Sequence, residues 1–147
     1  MDRRRPSGHR ILDHTSEVAF RAWGRTLCDA FAEAGKALFS VMVDLRGVRA
    51  REWMDIDVQA TGPNDLLVEW LNELVFRSDV ENMLLSRFKV QPFGEHDGHL
   101  VLHARCCGEP YDSDRHRAKL QVKAASYSNV SVRKTENGWT VEGVLDV

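Results

Sequence analysis

Residues 11–24, ILDHTSEVAFRAWG, contain a polar cluster followed directly by an alternating segment. The cluster covers residues 13–17, and after it Val18, Phe20 and Ala22 take every second position. A period of two is typical of a β-strand with one face toward a core. The stretch therefore predicts a half-buried strand. Its polar entry is either a solvated strand end or one half of a site that a distant part of the chain completes.

Two segments show the three-to-four-residue spacing that is typical of amphipathic helices. Thr26 can cap the first helix together with Asp29, three positions later. Residues 62–65, GPND, end the preceding strand and open the second helix. The expected apolar positions are, in the first helix, Leu27, Phe31, Ala34, Leu38 and Met42 and, in the second, Leu66, Leu67, Trp70, Leu71, Leu74 and Val75.

The rest of the chain is rich in β-strand patterns. Apolar and polar residues alternate over 54–60, and two turn signals, Asp97-Gly98 and Asn137-Gly138, mark hairpins. The further predicted strands cover about 87–93, 99–107, 117–124, 128–135 and 138–146. This pattern predicts an α+β fold: a single two-layer domain in which two helices pack on one face of a largely antiparallel sheet.

Length and composition fit one globular domain. The 147 residues carry a formal net charge of -2, so no overall field attracts nucleic acid or an anionic membrane. No run approaches the ~20 apolar residues that span a bilayer. Residues 1–9 are expected to be a flexible tail, with the domain over 10–147. Three cysteines, two of them adjacent, make a poor disulfide framework, which favours a reducing cytoplasm.

Residues 95–103, EHDGHLVLH, have the composition of a metal site. His99 and His103 share a strand face, but four residues at about 3.3 Å each separate them by ~13 Å. Both ligands of one zinc ion must lie about 2 Å from it, so these two histidines cannot share one. We predict a solvent-facing hairpin without a function. The sequence points to no particular histidine or acid as a catalytic partner of Cys28, and ordinary packing is expected there.

A basic stretch follows the acidic loop at 112–114. On a strand, its alternation would expose Arg117, Lys119 and Lys123 on one face, as in a stripe that contacts phosphates. The sequence pattern of RNA-recognition domains is absent, and nearby acids offset the charge. A solvated strand face is the favoured interpretation, and direct RNA contact is the alternative.

A carboxylate site would form if the last strand paired with the first one. Asp146 would then stand near residues 13–17, and the terminal carboxylate of Val147 would add another oxygen. Carboxylates at one edge repel each other unless a cation lies between them. A hard cation such as calcium takes oxygen ligands at ~2.3–2.6 Å and would satisfy this arrangement. The sequence does not establish that the strands are neighbours, so a solvated strand end is the alternative.

Six blocks, in order and over nearly the whole chain from 14 to 147, together resemble the archease family. The segment HTSEV at 14–18 is similar to the family's His-Thr-Ala-Asp-Val, and LLVEWLNEL at 66–74 is close to its LLxxWLNELL helix. The remaining blocks are AWGRTL at 22–27, Gly108-Glu109, VKAASY at 122–127 and LDV at 145–147.

The resemblance implies an accessory protein and not an enzyme. Archeases assist the RtcB-type RNA-splicing ligase, which joins a cyclic-phosphate end of RNA to a hydroxyl end with GTP and a divalent metal. They promote guanylylation of the ligase and its repeated turnover, and they carry no ligation chemistry. The expected partner is that ligase, with RNA reached indirectly through it and no membrane, and the expected place is the cytoplasm. The family's SHS2-like α+β fold agrees with the pattern of elements.

The resemblance also implies site residues. The family's metal ligands correspond to Glu17, Asp146 and Val147, and the expected cofactor is a divalent metal, with calcium preferred. Glu17 stands where the family has Asp, and its side chain is one methylene longer, so the geometry or selectivity of binding can change. The weaker candidates for a partner-facing surface are Glu109, His116 and Lys123.

Two other function classes stay open. A metal-dependent enzyme could use Glu17 and Asp146 as base and ligand, with His14 as the nearest further group, and a deep pocket with a titratable group of perturbed pKa would distinguish it. A chaperone-like or specificity module for another RNA-processing enzyme, such as a methyltransferase, would differ from the ligase activator in the partner that it binds.

Overall fold

The computed structural model describes residues 6–14 and 16–147 and combines two α-helices with short and long strands. In chain order these elements are β1 (Gly8–His14), β2 (Glu17–Gly24), α1 (Leu27–Met42), β3 (Glu52–Ala60), α2 (Pro63–Glu81), β4 (Met83–Val90), β5 (Gly94–His96), β6 (His99–Pro110), β7 (Ala124–Ala125), β8 (Ser131–Thr135) and β9 (Gly138–Asp146). A short 3-10 helix, Leu45–Gly47, follows α1. The predicted α+β class is confirmed.

The strands form two antiparallel sheets, where the sequence pattern predicted one. In the first sheet the order is β1-β2-β9-β7, and β8 also pairs with β9. In the second the order is β3-β6-β4, and β5 also pairs with β6. Helix α1 packs against β1, β2 and β9 of the first sheet and against β4 of the second. Helix α2 packs against β3, β4 and β6 of the second sheet and against β7 and β8 of the first. Each helix therefore contacts both sheets and joins them around one core.

Local sequence signals set the ends of both helices. Thr26 caps α1 as predicted, because its hydroxyl accepts a hydrogen bond of 3.0 Å from the amide of Asp29. Pro63 lies in the first turn of α2, where an N–H would have no helical partner. Asn82 ends α2 in the left-handed conformation at φ 53°.

The predicted apolar positions of both helices are either buried in the main core or partly buried and packed against it. Trp70 is the largest fully buried side chain, and its indole Nε1 donates to the carbonyl of Phe31 at 2.9 Å. This bond joins α2 to α1 and satisfies the polar atom of a buried indole. Within the described residues, no helix is both long enough and apolar enough to cross a membrane.

The predicted strand over 117–124 is wrong for most of its length. Ala118 forms a single bridge with Val43, and β7 is limited to two residues. The segment runs past the end of α1, where the amide of Lys119 donates to the carbonyl of Met42 at 2.9 Å. Its backbone groups therefore satisfy carbonyls at a helix end instead of forming a ladder.

Strand β1 is absent from the sequence prediction. Its sequence, GHRILDH, does not alternate cleanly, and its pairing with β2 shifts between Ile11 and Asp13. It also overlaps the predicted tail, because residues 8 and 9 belong to β1. Residues 1–5 of that tail lie outside the described residues. Strand β1 thus begins two residues before the expected start of the domain at residue 10.

Candidate functional site: an acidic strand edge

The ends of two neighbouring strands form an acidic edge, which comprises Glu17, Asp146 and Val147. Strands β2 and β9 pair continuously, from Gly24 with Trp139 to Glu17 with Asp146. Directly opposed residues have Cβ atoms about 4.5–5.5 Å apart on the same face of the sheet. The last strand does pair with the first alternating strand, which was the condition for a carboxylate site, and the two carboxylates are cross-strand neighbours.

Main-chain hydrogen bonds hold the acidic edge in place. The amide of Lys123 donates to the carbonyl of Asp146 at 2.8 Å, and the amide of Val147 donates to the carbonyl of Ser16 at 3.4 Å. The side chain of Glu17 is exposed and that of Asp146 is half-buried. Neither carboxylate forms an ion pair with any cation of the described chain. The edge therefore combines a fixed backbone with two uncompensated carboxylates.

The acidic edge fits part of the ligand set of a divalent cation. Calcium accepts carboxylate, main-chain and water oxygens in varied geometry, and a cation removes the repulsion between neighbouring carboxylates. Among the side chains that the structure describes, which do not include those of residues 13–15, no group of three or more His, Cys, Asp or Glu is nevertheless placed to bind a metal. A third protein ligand would be a main-chain oxygen of Val147. The metal site stays a prediction.

Part of the polar cluster that precedes β2 lies outside what the structure describes. This part comprises the side chains of Asp13 and His14, and Thr15 as a whole. The role of His14 as a further group of a metal-dependent enzyme therefore stays a prediction.

Asn72 on α2 fixes strand β7 beside the acidic edge. Its Oδ1 accepts from the amide of Ala125 at 2.7 Å, and its Nδ2 donates to the carbonyl of the same residue at 3.4 Å. Strand β7 in turn pairs with β9 at Leu145 and Asp146. Asn72 is thus a positioning residue for the edge. It was not among the predicted site residues, although an amide can satisfy a strand's donor and acceptor together.

Glu109 and His116 lie in the interior, with only 1% and 5% of their surfaces exposed. The Glu109 carboxylate accepts from the amide of Arg49 at 2.7 Å, from His116 Nε2 at 2.9 Å and from the guanidinium of Arg115. His116 Nδ1 accepts from the amide of Asp112 at 2.9 Å. Their expected place on a partner-facing surface is wrong, because their polar atoms are all used to tie the loop after β6 to the segment before β3.

These contacts keep the Glu109 carboxyl ionised. The hydrogen bond from Arg115, helped by the Arg49 amide and His116, lowers the pKa of Glu109 to about 2, although burial acts in the opposite direction. A carboxylate with so low a pKa is a weak base near neutral pH. The arrangement is therefore that of a structural ion cluster.

The basic stretch after residue 114 does not form the predicted strand face. Arg115 joins the Glu109 cluster, and Lys119 Nζ donates to the carbonyl of Ser40 at 3.2 Å. Arg117 and Lys123 are exposed, but without a strand they do not alternate on one face. Lys123 lies beside the acidic edge, so its partner-facing role stays a prediction.

The histidine-rich hairpin forms as predicted. His96 and His99 pair across the turn that joins β5 to β6, and His103 contacts Asp57 on β3 instead of its neighbours. At Cys28, burial and a neighbouring carboxylate raise the pKa of the thiol. A nucleophilic cysteine needs the opposite shift, so ordinary packing is the better description.

Two surface features have no counterpart among the sequence predictions. An open groove of about 790 Å³ lies between the end of α1, the second half of α2 and residues 118–123. On the second sheet, Trp53 is 41% exposed, and the cations of Lys89 and Arg105 lie over its ring. A tryptophan directly before the alternating segment 54–60 was the signal for the second feature.

Comparison with known proteins identifies the family. The Archease protein family matches residues 9–147. The chain belongs to the archease family. Protein archease of Methanopyrus kandleri is 38% identical over 136 residues, which cover 92% of this chain and 96% of the relative. Protein archease of Pyrococcus furiosus is 32% identical over 136 residues, which cover 92% and 95%.

Solved structures agree with the archease assignment. The solution structure of protein 1598 of Methanobacterium thermoautotrophicum superposes with a TM-score of 0.83 at 31% identity, covering 95% of this chain and 99% of that one. The crystal structure of an archease from Thermotoga maritima, described as a possible chaperone, superposes with a TM-score of 0.57 at 13% identity, covering 94% of this chain and 96% of that one. This likeness concerns the fold alone. On the archease fold, the opening and terminal motifs are the two strand ends that form the acidic edge.

Proposed function

We propose that this chain is a non-catalytic activator of an RtcB-type RNA ligase, which promotes guanylylation of the ligase and its repeated turnover in tRNA splicing or RNA repair. Membership of the archease family supports the proposal. The observation that carries it is the direct pairing of Glu17 with Asp146, which sets two carboxylates side by side at a strand end. The ligase is the partner, RNA is reached through it, and the cytoplasm is the place of action.

The acidic edge is the surface that would meet the active-site mouth of the ligase. Glu17 and Asp146, with a main-chain oxygen of Val147, would hold a divalent cation, and calcium best tolerates such a mixed set of oxygens. When bound, that cation would supply positive charge that stabilises the phosphates of a nucleotide, or would itself become a metal shared with the ligase. The longer side chain of Glu17 keeps the charge of the family's Asp and changes its reach, and with it the geometry of binding. Lys123, which is exposed next to Asp146, would lie at the rim of the contact.

Multiple-turnover RNA ligation by the cognate ligase tests the proposal. Wild type is compared with Asp146→Ala, with Glu17→Ala and with Glu17→Asp, which restores the family's residue. Glu95→Ala is the matched control, because Glu95 is an exposed carboxylate on the second sheet. We expect both alanine variants at the edge to lose stimulation by about tenfold or more, as for other disrupted metal sites, while Glu17→Asp and the control stimulate normally.

Full stimulation of the ligase by an Asp146→Ala protein whose circular dichroism and melting temperature match the wild type would reject this role of the acidic edge. Direct titration with calcium, followed by the shift in melting temperature, separates metal binding from ligase contact. A shift in the wild type that disappears in Asp146→Ala is expected. An absent shift would reject the cation while leaving the ligation assay to decide on the ligase.

A second candidate function is a chaperone-like or specificity module for another RNA-processing enzyme, such as a methyltransferase. The observation that favours it is the open groove between α1, α2 and residues 118–123, where Phe76 is 58% and Leu120 is 40% exposed. Clustered exposed apolar side chains of this kind mark contact sites. This function would replace the first if the wild type failed to stimulate the ligase but solubilised another RNA-processing enzyme, with loss of that effect in Phe76→Ala.

A further inference from the structure

The outer face of the second sheet presents an exposed tryptophan. Alternation along β3 directs Ile56 and Val58 toward the interior, so Trp53 lies on the opposite face. Its side chain remains 41% exposed, although a large aromatic ring is among the most favourable groups to bury. The ring is therefore covered only in part by this chain, and the exposed part is free to contact a partner.

Three cations share the sheet face of this ring. Lys89 on β4 is directly opposite Arg105 on β6, and Cys107 lies between Trp53 and Arg87 in the neighbouring row. The Lys89 ammonium is 5.0 Å and the Arg105 guanidinium carbon is 5.2 Å from the centre of the Trp53 ring. All three cations are exposed. We call Trp53, Arg87, Lys89 and Arg105 the tryptophan face.

Acidic side chains neutralise the tryptophan face only in part. Asp55 pairs with Arg105 at 3.5 Å, and Asp57 is engaged by His103. Arg87 and Lys89 form no ion pair with a carboxylate anywhere in the described chain. The whole chain has a net charge of -2, so this concentration of positive charge is local. A local positive patch around an aromatic ring complements a polyanion that carries flat rings.

We propose that the tryptophan face binds single-stranded RNA: one base stacks on the Trp53 indole as a cation that lies over the ring moves to an adjacent phosphate, and Arg87, Lys89 and Arg105 contact the phosphates. Aromatic side chains on an open sheet stack unpaired bases with little sequence preference, and flanking cations bind the backbone. A base in a duplex has both of its faces covered, so the ring selects single strands. The choice of RNA over DNA rests on the proposed function, whereas the binding surface rests on the geometry alone.

Fluorescence anisotropy of a short labelled single-stranded RNA, titrated with the full chain in the absence of ligase, tests the proposal. Trp53→Ala should weaken binding by about tenfold or more, and Trp53→Phe should keep most of the affinity because it keeps a stacking ring. Three phosphate contacts predict a slope of log affinity against log salt of about -2, and Lys89→Ala should make it shallower by about 0.7. Lys134→Ala, which removes an exposed cation on β8, is the matched control.

Absence of RNA binding at low salt, or an affinity that Trp53→Ala leaves unchanged, would overturn the proposal. Tighter binding of single-stranded DNA than of RNA of the same sequence would also overturn it. Asp146→Ala should bind RNA as the wild type does, because the acidic edge lies on the other sheet. Loss of ligase stimulation in that variant and loss of RNA binding in Trp53→Ala are therefore separate results.

Discussion

Removal of the Glu109 carboxylate should lower the free energy of unfolding by about 3 kcal/mol or more. The carboxylate is 1% exposed and accepts from the Arg49 amide at 2.7 Å and from His116 Nε2 at 2.9 Å, besides Arg115. A hydrogen bond to a charged group contributes roughly 1.5–3 kcal/mol, and a buried donor left without an acceptor adds its desolvation cost. In Glu109→Ala the buried His116 loses its acceptor. Arg115 can turn to water, because 32% of its side chain is exposed.

The same contacts predict a specific pH dependence. The folded-state pKa of Glu109, about 2, lies below the ordinary value of 4.5. A carboxyl whose pKa is lowered by folding stabilises the protein above its unfolded-state pKa, and this stabilisation is lost as the pH falls from about 5 toward 2. Glu109→Gln keeps the shape of the side chain but cannot ionise. The difference in stability between wild type and Glu109→Gln should therefore be widest near neutral pH and narrow in acid.

Urea unfolding, followed by tryptophan fluorescence at several pH values between about 3 and 7, measures both effects. Glu95→Ala serves as the control for loss of an exposed carboxylate and should change stability by less than about 0.5 kcal/mol. A Glu109→Ala protein as stable as that control would refute the stabilising role of the carboxylate. A difference between wild type and Glu109→Gln that does not change with pH would refute the lowered pKa as its cause.

Two further substitutions test packing beside the sites. Gly108→Ala should destabilise the protein by about 3 kcal/mol or more, because a Cβ there would lie 1.7 Å from the carbonyl oxygen of Leu84. Thermal unfolding measures this effect, and Gly62→Ala is the control, because a Cβ at Gly62 would have nothing within 4 Å. Asn72→Ala should cost about 1–2 kcal/mol and speed hydrogen exchange at the Ala125 amide by about tenfold or more, because that amide loses its acceptor at 2.7 Å. An unchanged exchange rate at Ala125 would contradict the positioning role of Asn72.

Elements with a local signal could be predicted from the sequence. The period of two in β2 and β3, the Thr26 cap and the Asn137-Gly138 turn each lie within a few residues, and the structure contains the corresponding elements. The pairing of Glu17 with Asp146 joins opposite ends of the chain. Periodicity shows which residues face a core, but it does not show which strands become neighbours. The acidic edge could therefore be stated only as a conditional prediction.

The failed predictions have a common cause in tertiary contacts. Residues 117–123 have a strand-like alternation, but the amides of Lys119 and Leu120 donate to carbonyls at the end of α1. Glu109 was a candidate for the partner-facing surface only through the family resemblance, and glutamate is seldom fully buried without partners. Its partners come from Arg49, far back in the chain, and from the loop that carries Arg115 and His116. No local sequence pattern predicts that three hydrogen-bond donors will converge on one carboxylate.

The two proposed surfaces have different consequences for the ligase reaction because they lie on different sheets. The acidic edge ends β2 and β9, and the tryptophan face spans β3, β6 and β4. On the proposed function, Asp146→Ala should reduce guanylylation of the ligase measured without RNA, while Trp53→Ala should leave that step intact. A bound RNA strand on the tryptophan face would act later, by raising the local concentration of RNA near a docked ligase. Since the substituted residues share no contact partner, the effects should add in the double variant. A defect in guanylylation caused by Trp53→Ala would instead mean that the second sheet belongs to the ligase contact.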